Sequence, residues 1–407
     1  MRKNPIKAAL LVILAILLLA LPLATACGSG KLPVDEIRIG VMGGQTGPAA
    51  DSVVALLEEM EHVFGYINEV EGGIDGVKIS WRIVDNKGTP EGAILSYREL
   101  RDGFDPLFYI AVEDYYYLGI KDEIAEDNAV LFTLSAIDPR AYLPPNYFFS
   151  VSVPLSDGLA GFVKWLKSNW QGEGGPKVGV LYWELPSGQQ YQMAMGWAAA
   201  QGVELVPVQF PMVTMDLKPH MLRLLDADVD YVWMMCTAGQ AAVAIRDAHA
   251  VGLAGKIPFC FNEYVEPDVL LELVGEGAQG FYSYRSESPY SDDAEAARLY
   301  TEIWKWATGE ERQSDTRITL TLKAIITDAV KQAVTDVGWE NLDGEAFYNA
   351  LNKLSSIDSM GNIGNLSFGP DKRVGVSSIK MAQFTKDGRV SISDWIELPR
   401  TFEQKAQ

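Results

Sequence analysis

Strand-like and helix-like segments alternate along most of the chain. Residues 37–41 form a short apolar run typical of a buried strand, and residues 53–69 then carry apolar side chains at the spacing of a helix. The alternation continues to a strand at 130–133 and begins again with a helix at 155–170. Because strict alternation is typical of parallel sheets covered by helices on both faces, it predicts two α/β lobes of similar, Rossmann-like build.

The last part of the chain departs from this alternation. Residues 292–308 and 315–337 have the apolar spacing of two long amphipathic helices. The tail predicts two strands, 379–385 and 390–396, joined by a tight turn that contains an Asp-Gly pair. We expect these elements to help join the two lobes.

The N-terminus has the features of an export signal. Three basic side chains precede or begin an apolar run at 8–21, and small residues follow as far as Cys27. The apolar run is shorter than the about 20 residues that a membrane-spanning helix needs. The pattern therefore predicts a signal peptide at 1–26.

Cys27 resembles the lipid-carrying cysteine of a bacterial lipobox. We predict that residues 27–34 form a lipid-anchored tether to the bilayer. The protein would then be exported to the periplasm or to the outer face of the cytoplasmic membrane. Cleavage without lipid attachment stays open as the alternative.

Composition and charge exclude several classes of protein. With 48% hydrophobic and 22% charged residues, the chain is a globular protein rather than a disordered or fibrous one. Its 54 acidic against 34 basic residues give a net charge of −20, which repels phosphate backbones and argues against nucleic-acid binding. The three histidines lack the spacing of metal ligands, so neither a metal nor another cofactor is predicted.

Two cysteines remain in the exported part, Cys236 and Cys260. Both end apolar, strand-like runs, which favours buried free thiols. Export also permits a disulfide between them, and the sequence leaves that alternative open.

Motifs of catalysis are missing from the sequence. It contains no GxSxG, GxxxxGK[ST] or HExxH. One GxGxxG occurs at 275–280, but it follows a predicted helix and precedes a strand. A dinucleotide site needs the opposite order, with the glycines between a strand and the start of a helix. We therefore read the motif as a turn at a helix end, and predict that the chain is not an enzyme.

The loops that follow the predicted strands are rich in aromatic and polar residues. Ligands of open α/β sheets bind beyond the carboxyl ends of the strands, and exposed rings mark binding surfaces. The sequence therefore predicts a small-molecule site built from these loops. They span residues 43–48, 113–117, 135–139, 183–187, 237–239 and 262–264.

The order of these segments resembles a known family, the branched-chain amino acid ABC-transporter substrate-binding proteins of the type I periplasmic binding fold. No single motif is specific, but the ordered set extends over nearly all of the exported part. The matching segments are 37–41, 46–48, 67–69, 72–76, 84–86, 135–139, 147–151, 248–253, 258, 277–282, 368–371 and 386–388.

The resemblance implies two lobes that are joined by three hinge strands and close over a ligand. Lobe 1 would comprise 35–152 with 284–361, and lobe 2 would comprise 153–283 with 362–407. The closed form would deliver the ligand to an ABC permease, with the binding protein acting as a monomer. The alternative is a sensor of the same fold that signals to a membrane kinase or chemoreceptor.

The resemblance also implies roles for individual residues. Glu263 matches the acid that pairs with the ammonium of an amino acid, while the places of carboxylate-binding hydroxyls hold Tyr115 and Ile137. Such a pocket favours a larger, flatter or more apolar ligand than an amino acid, and Arg285 or Arg140 could hold a carboxylate. The predicted ligand-binding residues are Gln45, Thr46, Ser52, Asp114, Tyr115, Ser135, Ala136, Ile137, Trp183, Ser187, Thr237, Glu263, Tyr264 and Arg285.

Overall fold

The computed structural model describes residues 34–47, 50–311, 318–386 and 388–402, without the side chains of residues 51, 52, 186 and 187. The predicted signal peptide and Cys27 lie outside these residues. Within the described ranges, no helix combines the length and the apolar character needed to cross a membrane.

The first sheet contains five parallel strands in the order β2-β1-β3-β4-β5. Its core strand β1 is buried at Ile37, Ile39 and Val41, which explains the apolar run seen in the sequence. The strands are β1 (Glu36–Gly43), β2 (Lys78–Asp85), β3 (Phe108–Ala111), β4 (Leu131–Thr133) and β5 (Phe148–Ser150). The helices between them are α1 (Ala50–Glu69), α2 (Pro90–Phe104), α3 (Lys121–Glu126) and α4 (Pro139–Tyr142).

Helix α2 shows how local sequence sets these boundaries. The Thr89 hydroxyl accepts a hydrogen bond from the Gly92 amide at 3.0 Å, and Pro90 occupies the first turn, where its missing N–H costs nothing. The helix ends at Asp105, whose φ of 50° lies in the left-handed region.

The second sheet combines parallel and antiparallel strands in the order β12-β11-β10-β9-β8-β6-β7, with β13 beside β11. The strands from β6 to β10 are parallel, whereas β11 and β12 run antiparallel to their neighbours. The strands are β6 (Lys177–Trp183), β7 (Glu204–Phe210), β8 (Tyr231–Met234), β9 (Phe259–Phe261), β10 (Tyr282–Arg285), β11 (Ser378–Thr385), β12 (Gly388–Ser391) and β13 (Ile396–Glu397). The helices are α5 (Leu155–Asn169), α6 (Tyr191–Ala200), α7 (Lys218–Asp226), α8 (Ala238–Ala250) and α9 (Pro267–Val274).

Three further helices return to the first sheet: α10 (Glu295–Thr308), α11 (Ile318–Val337) and α12 (Gly344–Leu351). Phe347 of α12 stacks on Phe108 of β3 with ring centroids 4.5 Å apart. The Tyr66 hydroxyl of α1 donates to Glu302 Oε1 of α10 at 2.6 Å. Lobe 1 is therefore the first sheet with its helices and α10–α12, and lobe 2 is the second sheet with α5–α9.

The chain crosses between the lobes three times: after β5, after β10 and after α12. The first and third crossovers pair with each other, since the Ser150 amide donates to Arg373 O at 2.8 Å and the Gly375 amide donates to Ser150 O at 2.9 Å. The prediction of two α/β lobes with parallel sheets is confirmed. The boundary expected after residue 283 falls inside β10, which pairs with β9 and β11, so this crossover begins after Arg285.

Candidate ligand-binding site

The strand-end loops of the two sheets meet beside the crossovers. Tyr264, which follows β9 in lobe 2, lies close enough to Asp114 in lobe 1 for that carboxylate to raise the pKa of its hydroxyl, on top of the larger effects of burial and of Glu263. Met193 of α6 packs against a cluster of mostly lobe 1 residues, among them Tyr117 and Tyr142, that also includes Val374 and Phe402. The loops from both lobes therefore surround one shared region, as the fold requires of a cleft.

Asp114 shapes the lobe 1 side of this region. It is fully buried, and its carboxylate accepts hydrogen bonds from Ser135 Oγ at 3.1 Å, the Ile137 amide at 2.8 Å and the Asp138 amide at 2.9 Å. The Tyr142 hydroxyl donates a fourth bond at 3.1 Å. Burial nevertheless raises the pKa of Asp114 to about 6. Asp114 thus holds the loop that carries the predicted residues Ser135, Ala136 and Ile137, all three of them buried.

The loop after β1 is attached to the neighbouring loop after β2. The Thr46 hydroxyl donates to Asp85 Oδ2 at 2.7 Å, and both Thr46 and Gln45 are exposed. Gly47 has a φ of 114°, and a Cβ there would lie 2.9 Å from Lys87 O, so glycine is required at this turn. Ser52 lies in α1, and its side chain is outside the described residues.

Tyr115 supplies an aromatic surface at the end of β3. It is half-buried and lies against Tyr116 with ring centroids 4.3 Å apart. Burial raises the pKa of the Tyr115 hydroxyl far above its usual value. Beside it, Glu113 accepts a hydrogen bond from Asn86 Nδ2 at 3.2 Å, and burial raises the pKa of this carboxyl.

On the lobe 2 side, two predicted ligand residues have partners inside the lobe. Trp183 is only 5% exposed, and its indole N–H donates to Gln240 Oε1 at 2.9 Å. Thr237 caps α8 in a reciprocal capping box with the same Gln240. Both residues thus have a structural role inside lobe 2, and their contact with a ligand stays a prediction. The Ser187 side chain is outside the described residues.

Glu263 links the lobe 2 sheet to two crossovers. Its Oε1 accepts hydrogen bonds from Ser152 Oγ and, at 2.8 Å, from the Val153 amide of the first crossover. Its Oε2 accepts one from Ser286 Oγ of the second crossover at 3.4 Å. Burial, reinforced by Glu287, raises the pKa of Glu263 to about 8. The acid that the resemblance assigned to a ligand ammonium thus has hinge residues as its partners.

The two arginines proposed for a ligand carboxylate are already paired with acids. Arg285 is buried and lies 3.2 Å from Glu287 Oε2 and 3.4 Å from Glu266 Oε1. Arg140 is exposed and pairs with Asp138 at 2.5 Å. A ligand carboxylate would have to compete with these protein carboxylates.

Two residues at this site were missing from the predicted set. Gln190, which precedes α6, is 4% exposed, and neither of its amide atoms has a hydrogen-bond partner among the described residues. Asn262, which follows β9, is fully buried; its Oδ1 accepts from the Cys236 amide at 3.0 Å, while its Nδ2 has no partner within the described part of the chain. Asn262 stood in a predicted strand-end loop, whereas nothing in the sequence separated Gln190 from Gln189.

The remaining sequence features are structural. Gly275 begins a 3₁₀ turn (Gly275–Ala278) between α9 and β10, so the GxGxxG motif has no nucleotide-binding geometry. Cys236 and Cys260 are buried free thiols, and burial raises the pKa of both. Among the described residues, no three His, Cys, Asp or Glu side chains lie together as a metal site.

The chain belongs to the periplasmic binding protein family, whose profile matches residues 36–389. With its two lobes, it has the type I fold of that family, whose members are substrate-binding proteins, and it is a binding protein rather than an enzyme. A search of curated protein sequences finds no significant match.

Solved structures with the same fold carry different ligands. A branched-chain amino acid ABC transporter protein from Thermus thermophilus with bound valine is 19% identical, covers 91% of this chain and 99% of its own, and superposes with a TM-score of 0.80. A fatty acid ABC transporter substrate-binding protein from Thermomonospora curvata is 19% identical (TM-score 0.75, 91% and 95% covered). A solute-binding protein from Rhodopseudomonas palustris in complex with 3,4-dihydroxybenzoic acid is 16% identical (TM-score 0.71, 90% and 99% covered). At these identities the likeness shows the fold alone.

Proposed function

We propose that the protein captures a small molecule between its lobes outside the cytoplasm and delivers it to the membrane permease of an ABC importer. The observation that carries this proposal is the Glu263 cluster, in which one buried carboxylate holds Ser152 and Ser286 of two crossovers at the edge of the shared region. A ligand that contacts both lobes stabilises the closed form by its greater affinity for that form. Membership of the periplasmic binding protein family supports delivery of the closed form to a permease.

The ligand that this site favours is an aromatic or apolar organic compound rather than an amino acid. Tyr115 offers a half-buried ring at the end of β3, and Ile137 stands where related proteins have a hydroxyl for the ligand carboxylate. Glu263, the counterpart of the ammonium-binding acid, is held by the crossovers. These three features argue against the usual arrangement of an α-amino acid.

A thermal-shift screen of the purified protein tests capture and ligand class together. The panel contains leucine, valine, aromatic amino acids, aromatic carboxylates and amides. A ligand at a hundred times its Kd adds about 2.7 kcal/mol to the free energy of unfolding, which gives a clear rise in Tm. We expect the rise with aromatic or apolar compounds, together with a smaller radius of gyration by solution scattering; a rise with leucine or valine would contradict the proposed ligand class.

Uptake into vesicles that contain the candidate permease tests delivery. We expect transport of the ligand to depend on the binding protein and on ATP. A protein that binds and closes but supports no uptake, and instead activates a membrane kinase or chemoreceptor, would be a sensor.

The lipid anchor at Cys27 and a monomeric state belong to the same proposal. We expect the mass of the mature protein to include a diacylglyceryl group, and Cys27→Ala to release the protein from membranes. Light scattering should give the mass of one chain.

A further inference from the structure

Buried polar atoms without partners lie along the carboxyl edge of the lobe 2 sheet. They include both amide atoms of Gln190 and the amide nitrogen of Asn262, counted within the described ranges. The Tyr264 hydroxyl is buried beside them, close to the backbone of Ala136 and the Ser152 hydroxyl. Since buried polar groups in native proteins nearly always have a partner, these atoms call for a partner from outside the chain.

These atoms lie on the side of lobe 2 that faces lobe 1. Asn262 and Tyr264 follow β9, and Tyr264 lies near Ala136 and Asp114 of lobe 1. Gln190 immediately precedes α6, and residues three apart on a helix share a face. Met193, three residues after Gln190, packs against the same cluster of mostly lobe 1 residues, so we infer that this face of α6 is directed at the cleft.

The ionisable groups around these atoms already have hydrogen-bond or ion-pair partners within the protein. Asp114 accepts four hydrogen bonds, Glu263 accepts three, and Arg285 contacts Glu266 and Glu287. The half-buried Glu113 accepts from Asn86. A ligand carboxylate buried here would lose its hydration beside several acids, and a ligand ammonium would have to displace the donors that these acids already bind, so burial of either charge is unfavourable.

We propose that the ligand binds through an uncharged polar group, such as an amide, urea or hydroxyl, and that Gln190, Asn262 and Tyr264 supply its hydrogen bonds. This inference rests on the proposed capture of a small molecule between the lobes and specifies the chemistry of that molecule. A glutamine amide both donates and accepts, an asparagine nitrogen donates, and a phenol does either. Together they match a neutral group that has both a donor and an acceptor.

Matched compounds that differ only in charge test the proposal. One set has an isobutyl side chain: leucine, 4-methylpentanoate and 4-methylpentanamide. The other has a benzyl side chain: phenylalanine, 3-phenylpropanoate and 3-phenylpropanamide. Calorimetry with the purified full chain measures the Kd of each. We expect the amide to bind at least tenfold more tightly than the carboxylate and the amino acid of its set.

A cell metabolite extract extends the test beyond this panel. After incubation and washing, mass spectrometry identifies the compound that the protein retains, and we expect one that is uncharged at neutral pH. A retained amino acid, carboxylate or cation, or tighter binding of a charged member of either set, would overturn the inference but leave the capture function intact. Retention of nothing, with no binding in either set, would overturn the proposed function itself.

A pair of glutamine variants on the same helix tests the assigned contacts. Gln190→Leu removes buried amide atoms that have no partner in the described residues, so we expect an equal or higher Tm without ligand, but about tenfold weaker binding of the neutral ligand. Gln192→Leu, at an exposed position two residues away, is the control and should change neither. A purely structural role for Gln190 would lower the Tm and leave the Kd unchanged.

Discussion

The two edges of the cleft differ in how their buried polar groups are satisfied. On the lobe 1 edge, Asp114 has four donors, and the Asn86 amide bonds to Glu113, Tyr117 and Gly88. On the lobe 2 edge, Gln190 and Asn262 retain amide atoms without partners in the described chain. We therefore expect lobe 1 to offer a preformed surface and lobe 2 to form the hydrogen bonds with the ligand. Two lobes of similar fold can therefore have different roles, one giving the binding site its shape and the other forming hydrogen bonds with the ligand.

The largest effect should come from removing the carboxylate that shapes lobe 1. Asp114→Ala leaves the Ser135 hydroxyl and the Ile137 and Asp138 amides without this acceptor, and we expect it to lower the free energy of unfolding by about 3 kcal/mol. Urea denaturation measures this loss. Asp102→Ala, which removes an exposed acid, is the control and should cost less than about 0.5 kcal/mol.

The same measurement on a lobe 2 residue can contradict the difference between the two edges. Asn262→Ala removes one accepted hydrogen bond, from the Cys236 amide, and should cost about 1 kcal/mol. If Asn262→Ala destabilised the protein as much as Asp114→Ala, the two edges would be equally preformed.

The next effect concerns Glu263, which lies between the two edges and whose pKa is raised to about 8, chiefly by burial. A carboxyl that binds its proton more tightly in the folded state stabilises that state at low pH, and this contribution is lost as the pH rises through the folded pKa. Asp114 and Asp157, with pKa values raised to about 6, titrate lower. We therefore expect stability to fall by about 2 kcal/mol between pH 6 and pH 8.

Denaturation midpoints at pH 6, 7 and 8 measure this fall. Glu263→Gln keeps the shape of the side chain but cannot ionise, so its curve should be flatter over this range. A wild-type stability that is constant or rises with pH would show that Glu263 is ionised in the folded protein, and would restore it as a counter-ion for a cationic ligand.

A smaller effect distinguishes a lobe 2 residue that stabilises a loop from one that contacts the ligand. Thr237→Ala removes the cap of α8 and should cost about 1 kcal/mol in stability without weakening the binding of ligand. Thr237→Ser keeps the hydroxyl and should restore the stability. If the free energy of ligand binding fell by more than the free energy of unfolding, Thr237 would contact the ligand and would be a further polar contact on the lobe 2 edge.

Prediction from the sequence was most successful where regular spacing carries the information. The apolar run at Ile37–Val41 became strand β1, and the run that ends at Cys236 contains strand β8. The strand-end loops also came together, because parallel strands direct their carboxyl ends to one edge of a sheet.

Roles within the site were harder to predict, because they depend on partners distant in the chain. The sequence suggested that the Trp183 ring is available to a ligand. In the structure its indole N–H donates to Gln240, which lies 57 residues away in the chain. Glu263 looked like a counter-ion, but Ser152 reaches it from 111 residues away. Nothing in the sequence near Gln190 marks it as a site residue. Whether a glutamine amide is buried without a hydrogen-bond partner depends on the segments that surround it in the fold.

The sequence by itself determined the two α/β lobes, because hydrophobic periodicity and turn residues act over a few neighbouring positions, and it predicted a ligand site at the strand ends. It also predicted an export signal ahead of the described chain. Only the tertiary structure decided which side chains at the cleft are satisfied and which keep hydrogen-bonding capacity. Hydrogen bonds and burial depend on contacts between distant segments, and these contacts exist only once both sheets and all three crossovers are in place.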